Sequence, residues 1–376
     1  MSTRTESSRP LSVGILGTRG IPAHYGGFET FAEELSVRLV ERGHRVSVYG
    51  RRHLTSQNLL MYRGVEIITL PCIRTKYLET ISHTALSVIK TLFGGHDLVL
   101  ICNSANAVLC WVPALSGQKV VLNIDGIERM RRKWSFIGRS FYRLAEFLAI
   151  KIPTVAVSDA RTIQAYYERE YGVRTPFIAY GAINEPAASS NILNDLHLLP
   201  NKFVLYVSRL EPENNAHLVM EAYLSSGIQD PLVVVGDAPY SRRYIRELKK
   251  ISRKGNILMP GSIYGIGYRE LISFCRCYVH ATEVGGTHPA LIEAMGVGCL
   301  VVVNDTPENR EVVAEGGILY RFNDKVVLSE ILADIWDDYS KYEHFRSKGR
   351  ERVRLHYDWE QVTNSYENLF YKLLSK

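Results

Sequence analysis

The sequence contains no long uninterrupted apolar run. Its longest apolar stretch, residues 98–115, is broken by Asn103, Ser104 and Asn106, so we interpret it as a strand, a turn and a helix rather than a membrane span. Residues 1–10 are polar and Leu11 already opens an apolar strand pattern, so we expect no signal peptide. These two absences predict a soluble or peripheral protein of the cytoplasm.

The six cysteines show no C-x-x-C spacing and lie in apolar runs. This pattern is typical of reduced core thiols and gives no disulfide framework. Cys275 and Cys277 form a C-x-C pair, but the second ligand pair that a metal site needs is missing. We therefore expect no metal site at these thiols.

The net charge of +6 is small for 376 residues and excludes a typical nucleic-acid binder, unless the charge is concentrated in one place. Apolar residues make up 46% of the chain and charged residues 22%, as in globular proteins. A chain of this length exceeds what one hydrophobic core usually fills, so we expect two domains.

The first half alternates short apolar runs with helical patterns. Leu11–Leu16 is followed by a glycine-rich loop, a helical pattern up to residue 42 and a second strand at Val46–Tyr49, which together form a β-loop-α-β unit. The loop does not have the G-x-G-x-x-G spacing of a dinucleotide site. Further strands are predicted at Val65–Leu70, Asp97–Ile101, Val120–Asn123 and Thr154–Val157.

Asp125 directly follows one of these apolar strands and precedes a glycine. The carboxyl ends of parallel strands form the edge where ligands bind in a doubly wound sheet. Asp125 is therefore a candidate site residue. The alternative is that its carboxylate only caps the next helix.

Residues 129–143 concentrate positive charge, with six basic residues and no acidic one among tryptophan, phenylalanine and tyrosine. A basic and aromatic surface suits anionic lipid headgroups or a lipid diphosphate. The alternative is a solvated helix face whose aromatic residues turn inward.

The second half again alternates strands and helices after a weakly patterned junction near residues 182–202. Strands are predicted at Phe203–Val207, Leu232–Val235, Ile257–Met259, Tyr278–His280 and Leu300–Val303. The predicted domains are 1–185, 186–356 and a C-terminal segment, 357–376. The amphipathic helix expected at Trp359–Leu374 should pack back on the first domain.

The stretch 282–295 contains the clearest strand-loop-helix junction. Its paired glycines are followed by Thr287 as a candidate N-cap and Pro289 in the first helical turn. The first amides of a helix have no intrahelical partner, so such a junction suits a phosphate, and Glu293 is spaced to reach a sugar hydroxyl. The alternative is an ordinary glycine-rich turn that binds nothing.

Four motifs in order resemble the GT-B glycosyltransferases, in particular the retaining family 4 enzymes and a bacterial rhamnosyltransferase-like group within them. They are GTRGIPAHYGGFET from Gly17, Asp125–Glu128 followed by Lys133 and Trp134, SRLEPENN from Ser208, and VGGTHPALIEA from Val284. The resemblance implies an α/β GT-B fold, in which two Rossmann-like doubly wound domains face a central cleft.

Residue by residue, the resemblance places Gly26 and Gly27 against the donor diphosphate and acceptor. It implies that Arg209 binds the diphosphate and that Glu293 holds the nucleotide ribose. The phosphate-facing amides would come from Gly286, Thr287 and His288. Two departures are visible. Asn214 replaces the lysine usually paired with the arginine, and Gly285 replaces the first glutamate of an E-x7-E pair, for which Glu283 lies two residues too early.

The resemblance implies transfer of a hexosyl unit, rhamnosyl in our interpretation, from a nucleotide-diphosphate sugar to a lipid-linked saccharide, with retention. The donor is expected to be dTDP- or UDP-linked, with no cofactor and no metal, since the sequence has no D-x-D triplet. Asp125, Arg209 and Glu293 are the expected catalytic residues. The expected location is the cytoplasm, at the inner face of the membrane. The alternatives are a non-hydrolysing sugar-nucleotide epimerase and a catalytically impaired sugar-nucleotide-binding protein.

Overall fold

The computed structural model describes residues 9–375 except 25, 56–58, 76–77, 132–133 and 239. Two parallel sheets, each covered by helices, form two α/β domains. The expected pair of doubly wound domains is confirmed.

The sheet of the N-terminal domain has seven strands in the order β3-β4-β2-β1-β5-β6-β7, all parallel except the edge strand β3. The strands are β1 (Ser12–Leu16), β2 (Arg45–Arg51), β3 (Met61–Tyr62), β4 (Val65–Leu70), β5 (Leu98–Cys102), β6 (Lys119–Ile124) and β7 (Val155–Ser158). The α-helices are α1 (Gly27–Glu41), α2 (Glu79–Thr91), α3 (Trp111–Leu115), α4 (Phe136–Ala149) and α5 (Arg161–Tyr171).

The sheet of the C-terminal domain has six parallel strands in the order β10-β9-β8-β11-β12-β13. The strands are β8 (Val204–Val207), β9 (Leu232–Val235), β10 (Ile257–Gly261), β11 (Cys277–His280), β12 (Val301–Asn304) and β13 (Ile318–Tyr320). The α-helices that follow α5 are α6 (Asn191–Asp195), α7 (Ala216–Ser225), α8 (Arg242–Ser252), α9 (Gly265–Phe274), α10 (Pro289–Gly296), α11 (Pro307–Val313), α12 (Lys325–Asp337), α13 (Glu343–His356) and α14 (Trp359–Leu374).

The central strands are buried on both faces because helices cover each side of the sheet. Every residue of β1, β5, β9, β11 and β12 is buried. Such strands are near-continuous runs of valine, leucine and isoleucine, and this explains why the sequence pattern located them. Because helices cover both faces of each sheet, only the strand ends and the loops are left to bind ligands.

Helix α14 returns to the N-terminal domain and lies against α1. Arg42 forms ion pairs with Glu360 and Glu367 of α14, both at 2.6 Å. The buried Tyr366 hydroxyl accepts a hydrogen bond of 2.8 Å from the Asn123 side chain at the end of β6. The last helix therefore packs back on the N-terminal domain, as expected.

Each sheet has one point where the strand order reverses. In the N-terminal sheet it lies between β1 and β5, and in the C-terminal sheet between β8 and β11. Ligands of doubly wound sheets bind in the crevice outside the carboxyl ends of the strands at such a point. Arg209 follows β8, and the paired glycines follow β11, so both flank the crevice of the C-terminal sheet.

Among the residues that the structure describes, no helix combines the length and the apolar character needed to cross a lipid bilayer.

Candidate functional site

A cleft of about 1060 Å³ lies between the two domains, and strand-end segments of both domains form its walls. Of the residues singled out in the sequence, it brings together Gly26, Gly27, Asp125, Arg209, Thr287, His288 and Glu293. Gly286 lies beside them but is not part of the lining. The cleft is large enough for a nucleotide sugar and part of an acceptor.

Gly26 and Gly27 lie where the N-terminal domain contacts the start of α10. Helix α1 begins at Gly27, with Gly26 as its N-cap. A Cβ atom at position 27 would lie 2.8 Å from Cγ of Pro289, the first residue of α10. Glycine is needed here because the starts of two helices from different domains meet.

The loop before α10 is bonded to the other domain. The N-cap of α10 is His288 rather than Thr287, so the expected cap was wrong. The Thr287 hydroxyl instead donates to the Asp159 carbonyl at 2.6 Å, and the Thr287 amide donates to the Asp159 carboxylate at 2.8 Å. This amide is therefore bonded to an acidic side chain of the other domain, and its expected contact with a donor phosphate stays a prediction.

Asp159 follows β7 as Asp125 follows β6, and the neighbouring strands bring the two carboxyl groups together. Burial raises the pKa of Asp159 well above its usual range, and the negative charge of Asp125 adds to this. Burial also raises the pKa of Asp125, although the positive charges of Arg131 and Arg209 oppose the rise. The two carboxyl groups therefore resist ionising together, and the arginine charges favour the ionised form of Asp125.

Sequence reasoning missed Asp159 and left open whether Asp125 is a helix cap. The short 3₁₀-helix after Asp125 spans Glu128–Met130 and has Ile127 as its N-cap, so Asp125 caps no helix. Asp159 carries the same signal as Asp125, an acidic residue directly after an apolar strand. A Cβ atom at position 286 would overlap the Asp159 carboxylate, so the second glycine makes room for this contact.

Glu293 is 8% exposed and lies on the cleft side of α10. The Tyr268 hydroxyl donates to its carboxylate at 2.8 Å. Burial raises the pKa of Glu293 to about 7, although the hydrogen bond from Tyr268 opposes the rise. The carboxylate can therefore gain or lose a proton near neutral pH, and a hydroxyl ligand would favour its charged form.

Two histidines of the cleft lining, the buried His280 and the partly buried His288, have ring centroids 4.6 Å apart. Burial lowers the pKa of His280 to about 3 and that of His288 well below its usual range. Both rings are therefore neutral at pH 7. A side chain at Gly285 would overlap the His288 ring, so this ring fills the place where a residue larger than glycine would project.

The two departures noted in the sequence have structural explanations. The Asn214 amide donates to the Arg209 carbonyl at 2.7 Å, so Asn214 holds the turn after β8. Glu283 accepts hydrogen bonds from Asn215 and Asn323 at 3.0 and 2.7 Å and is not part of the cleft lining. Glu283 therefore does not take the place of a carboxylate at position 285.

The basic segment 129–143 divides into parts with different surroundings. Arg129 forms an ion pair with Glu146 at 3.1 Å, and Arg131 is buried and lines the cleft. Arg139 and Arg143 are exposed on α4. Arg132 and Lys133 lie outside the described residues.

The aromatic residues of α4 do not turn inward as a group. Tyr142 is buried, but Phe136 and Phe147 are 85% and 47% exposed, so the interpretation of a solvated face with inward aromatics was wrong.

A three-residue cluster of His53, Cys72 and Glu79 has ligand atoms within 4.8 Å of one another. Arg51 lies 2.9 Å from the Glu79 carboxylate in a buried ion pair. A guanidinium so close to the carboxylate opposes a metal cation at the same place, so the donor set does not favour a metal.

Two family models match the chain. Residues 194–352 match the model described as "Glycosyl transferases group 1", and residues 99–183 match "Domain of unknown function (DUF1972)". The first match contains Arg209 and Glu293, and the second contains Asp125 and Asp159.

Two curated relatives are similar to about half of the chain. The O-antigen chain mannosyltransferase B of Escherichia coli is 26% identical over 195 residues, which cover 50% of each chain. The N-acetylgalactosamine-N,N'-diacetylbacillosaminyl-diphospho-undecaprenol 4-alpha-N-acetylgalactosaminyltransferase of Campylobacter jejuni is 23% identical over 180 residues, 47% of this chain and 48% of that one. The chain thus spans about half the length of the curated relatives it matches.

The likeness to solved structures extends over nearly the whole chain. The crystal structure of Anabaena Alr3699/HepE in complex with UDP-glucose superimposes with a TM-score of 0.80 at 18% sequence identity, covering 96% of this chain and 100% of that one. The chain therefore has the GT-B fold, with a C-terminal domain that matches the group 1 glycosyl transferases.

Proposed function

We propose that the protein is a glycosyltransferase that moves a hexosyl unit, rhamnosyl in the most specific form of the proposal, from a nucleotide-diphosphate sugar to a lipid-linked saccharide. The observation that carries the proposal is the cleft itself. It places an arginine, a glycine loop at a helix start and a buried glutamate of the C-terminal domain opposite the glycine loop and Asp125 of the N-terminal domain.

The donor would lie on the C-terminal side of this cleft. Glu293 is placed to accept hydrogen bonds from the ribose, and its Tyr268 partner fixes the carboxylate. Arg209 is exposed at the end of β8, where a guanidinium suits a diphosphate. A protein of the same fold has been crystallised with UDP-glucose, which supports a UDP- or dTDP-linked donor.

The chemical step proposed is transfer with retention and without a metal. The bond between the anomeric carbon and the diphosphate oxygen breaks, and the acceptor oxygen forms its bond on the same face while its proton passes to the leaving diphosphate. The protein would act by positioning the reactants and by stabilising the charge of the leaving group. Asp125, whose ionised form the arginine charges favour, would orient the acceptor or the sugar.

A lipid-linked acceptor would reach the cleft from a membrane surface, and α4 suits that role. Its outward face carries large apolar side chains beside Arg139 and Arg143, namely Phe136, Ile137, Phe141, Leu144 and Phe147. Leu115 of α3 and Phe93, which follows α2, are also exposed. An exposed apolar face of this size with flanking cations is typical of an interfacial helix on anionic lipid. The name of the Campylobacter relative includes a saccharide linked to diphospho-undecaprenol, which supports an acceptor of this class.

The test is a panel of nucleotide sugars measured for protection against thermal unfolding. A ligand that binds only the native state raises the melting temperature. The donor so identified is then incubated with diphospholipid-linked saccharides. We expect a glycosylated lipid that retains the anomeric configuration of the donor, and the same product in the presence of EDTA.

Other outcomes distinguish the alternatives. Conversion of the nucleotide sugar without an acceptor would indicate an epimerase. Thermal protection without turnover on any acceptor would indicate a sugar-nucleotide-binding protein. No protection by any nucleotide sugar would contradict the proposal altogether.

A further inference from the structure

Arg131 is a buried guanidinium with unused hydrogen-bond donors at the wall of the cleft. It is 6% exposed. Its Nε donates to the Glu128 carboxylate at 2.6 Å, and its Nη1 lies 3.9 Å from the Glu213 carboxylate, too far for a hydrogen bond. Among the described residues, neither terminal nitrogen has a hydrogen-bond acceptor.

A guanidinium has five N–H groups, and the terminal nitrogens of Arg131 are not among the buried polar atoms that lack a partner. They therefore face the cleft, where a ligand can reach them. The bond to Glu128 fixes the direction of the planar group and leaves the two terminal nitrogens available for an acceptor with two oxygens. Phosphate oxygens match this fork.

Arg131 and Arg209 act on the same part of the cleft although they come from different domains. The positive charges of both favour the charged form of Asp125 and the neutral form of His288. Both charges therefore lie within electrostatic range of the loop before α10. An anion at this loop would interact with one cation from each domain.

The C-terminal domain has no second cation at the turn that carries Arg209. Asn214, five residues after Arg209, is 4% exposed and its amide is already bonded to the Arg209 carbonyl. A diphosphate carries at least two negative charges. Arg209 supplies only one positive charge, so a positive charge from outside this turn is needed to balance the diphosphate.

We infer that Arg131 is a donor-binding residue: its guanidinium binds the diphosphate of the nucleotide sugar opposite Arg209, so that the anion is held between the two domains. The inference rests on the proposed function and deepens it. Glu128 holds Arg131 in place in the unliganded protein, and the diphosphate occupies the nitrogens that Glu128 leaves open. Donor binding then requires the closed arrangement of the two domains.

The test compares a nucleoside diphosphate with its nucleoside, for example UDP with uridine or dTDP with thymidine, by isothermal titration at pH 7.5. Arg131→Gln should weaken binding of the diphosphate at least tenfold and change binding of the nucleoside less than threefold. Arg131→Lys should show a smaller loss of the same kind, since it keeps the charge without the fork. If Arg131→Gln does not fold, Arg131→Lys alone decides the matter, because affinity for the diphosphate equal to the parent's would overturn the inference.

Two neighbours serve as matched controls. Arg129→Gln removes a cation two positions away that is paired with Glu146 outside the cleft lining, and it should leave both affinities unchanged. Glu128→Gln keeps an oxygen that can accept from the Arg131 Nε and removes a negative charge beside the guanidinium, so it should keep or strengthen diphosphate binding. If Arg131 served only to pair Glu128, both Arg131→Gln and Glu128→Gln would lower the melting temperature while diphosphate affinity stayed the same.

The outcomes separate this inference from the proposed function. If the parent protein bound neither a nucleoside diphosphate nor a nucleotide sugar, the proposed function would fail. If the parent bound the diphosphate and Arg131→Gln bound it equally well, the proposed function would stand and the role of Arg131 would be overturned.

Discussion

The carboxylate of Asp159 accepts the amide hydrogen of Thr287 at 2.8 Å, although the two residues belong to different domains. In the same contact, the Thr287 hydroxyl donates to the Asp159 carbonyl. An acidic side chain of the N-terminal domain thus occupies the position at the start of α10 that suits an anion. A donor phosphate that approached this amide would have to displace a residue that also holds the two domains together.

The stability of the Asp159→Asn variant should fall less with rising pH than the stability of the parent. The folded-state pKa of Asp159 is raised, so its contribution to stability is complete below the unfolded value near 4 and is lost as pH rises through the folded value. Asparagine copies the protonated carboxyl group but does not titrate. The free energy of unfolding, followed by thermal unfolding between pH 4 and 9, should therefore fall less in the variant than in the parent. The difference should be about 1.4 kcal/mol for each unit by which folding raises the pKa of Asp159.

Asp159→Ala provides the matched control for that experiment. It removes both the titration and the hydrogen bond to Thr287, so it should be less stable than Asp159→Asn at every pH. Equal pH dependence in the parent and Asp159→Asn would show that Asp159 is ionised in the folded protein. The raised pKa of Glu293 also contributes in this range, and its contribution should persist in both variants.

Glu311→Ala should favour separation of the two domains. Glu311 of α11 accepts the amide hydrogens of Arg161 and Thr162, the first residues of α5, at 2.7 and 2.8 Å. This carboxylate caps a helix of the other domain and is worth about 1–2 kcal/mol. Small-angle X-ray scattering should show a larger radius of gyration for the unliganded variant, with Glu311→Gln intermediate. An unchanged radius in Glu311→Ala would mean that other contacts suffice to hold the domains.

The sequence predicted the strands well because parallel buried strands are short continuous apolar runs. Val65–Leu70 and Leu232–Val235 are correct at both ends, and helix α14 is correct as well. The sequence analysis missed β3 and β13, which have two and three residues and lie at sheet edges. Such short edge strands leave little periodic pattern.

The contacts across the cleft were not accessible to the same reasoning. Asp159 acts through Thr287, 128 positions away, and no local pattern shows which strand ends of two domains will face each other. The basic segment shows the same limit, because a run of positive charges does not reveal that Arg131 turns into the cleft while Arg139 and Arg143 face outward. Orientation within a charged segment depends on tertiary packing.

Asp125→Asn should lower turnover at least a hundredfold and leave donor affinity little changed. Asp125 lines the cleft, and the positive charges of Arg131 and Arg209 favour its ionised form. If this charge orients a reactant in the transition state, its loss affects the catalytic step more than ground-state binding. Steady-state kinetics at saturating donor would measure the effect. Turnover close to that of the parent would remove Asp125 from the catalytic residues.

Glu293→Gln should weaken donor binding, and the affinity for the donor should no longer depend on pH near neutrality. Losing a hydrogen bond from a ribose hydroxyl to a carboxylate costs about 1.5–3 kcal/mol. Because the pKa of Glu293 is about 7, its side chain becomes an ionised carboxylate, the stronger hydrogen-bond acceptor, only as pH rises through neutrality. The donor affinity of the parent should therefore rise between pH 6 and pH 8. A nucleotide sugar is the suitable ligand because its two phosphates stay ionised across this range.

Tyr268→Phe tests the cause of that pH dependence. The Tyr268 hydroxyl donates to the Glu293 carboxylate and lowers its pKa, so its removal should move the midpoint of the affinity change to higher pH. A midpoint that stayed in place in Tyr268→Phe, or an unchanged Michaelis constant for the donor in Glu293→Gln, would contradict the assignment of Glu293 to the ribose.

Replacing Arg139 and Arg143 together by glutamine should weaken binding to anionic liposomes. Each cation near an anionic bilayer contributes about 1 kcal/mol, so the double variant should bind roughly 30-fold less tightly at low salt. Both side chains are exposed on α4 beside Phe136 and Ile137, whereas Arg131 is buried in the cleft and does not belong to this surface. Sedimentation with liposomes at increasing salt would measure the loss, and the variant's residual binding should depend less on salt.

The matched control is the pair Arg242 and Arg243, which are exposed on α8 of the other domain. Changing them to glutamine removes the same net charge from a helix that has no comparable apolar face, and liposome binding should stay near that of the parent. Phe136→Ser with Ile137→Ser should reduce binding to neutral as well as anionic liposomes, because it removes apolar contact rather than charge. Equal losses in both arginine pairs would show that net charge alone drives the attraction, and α4 would then lose its special role at the membrane.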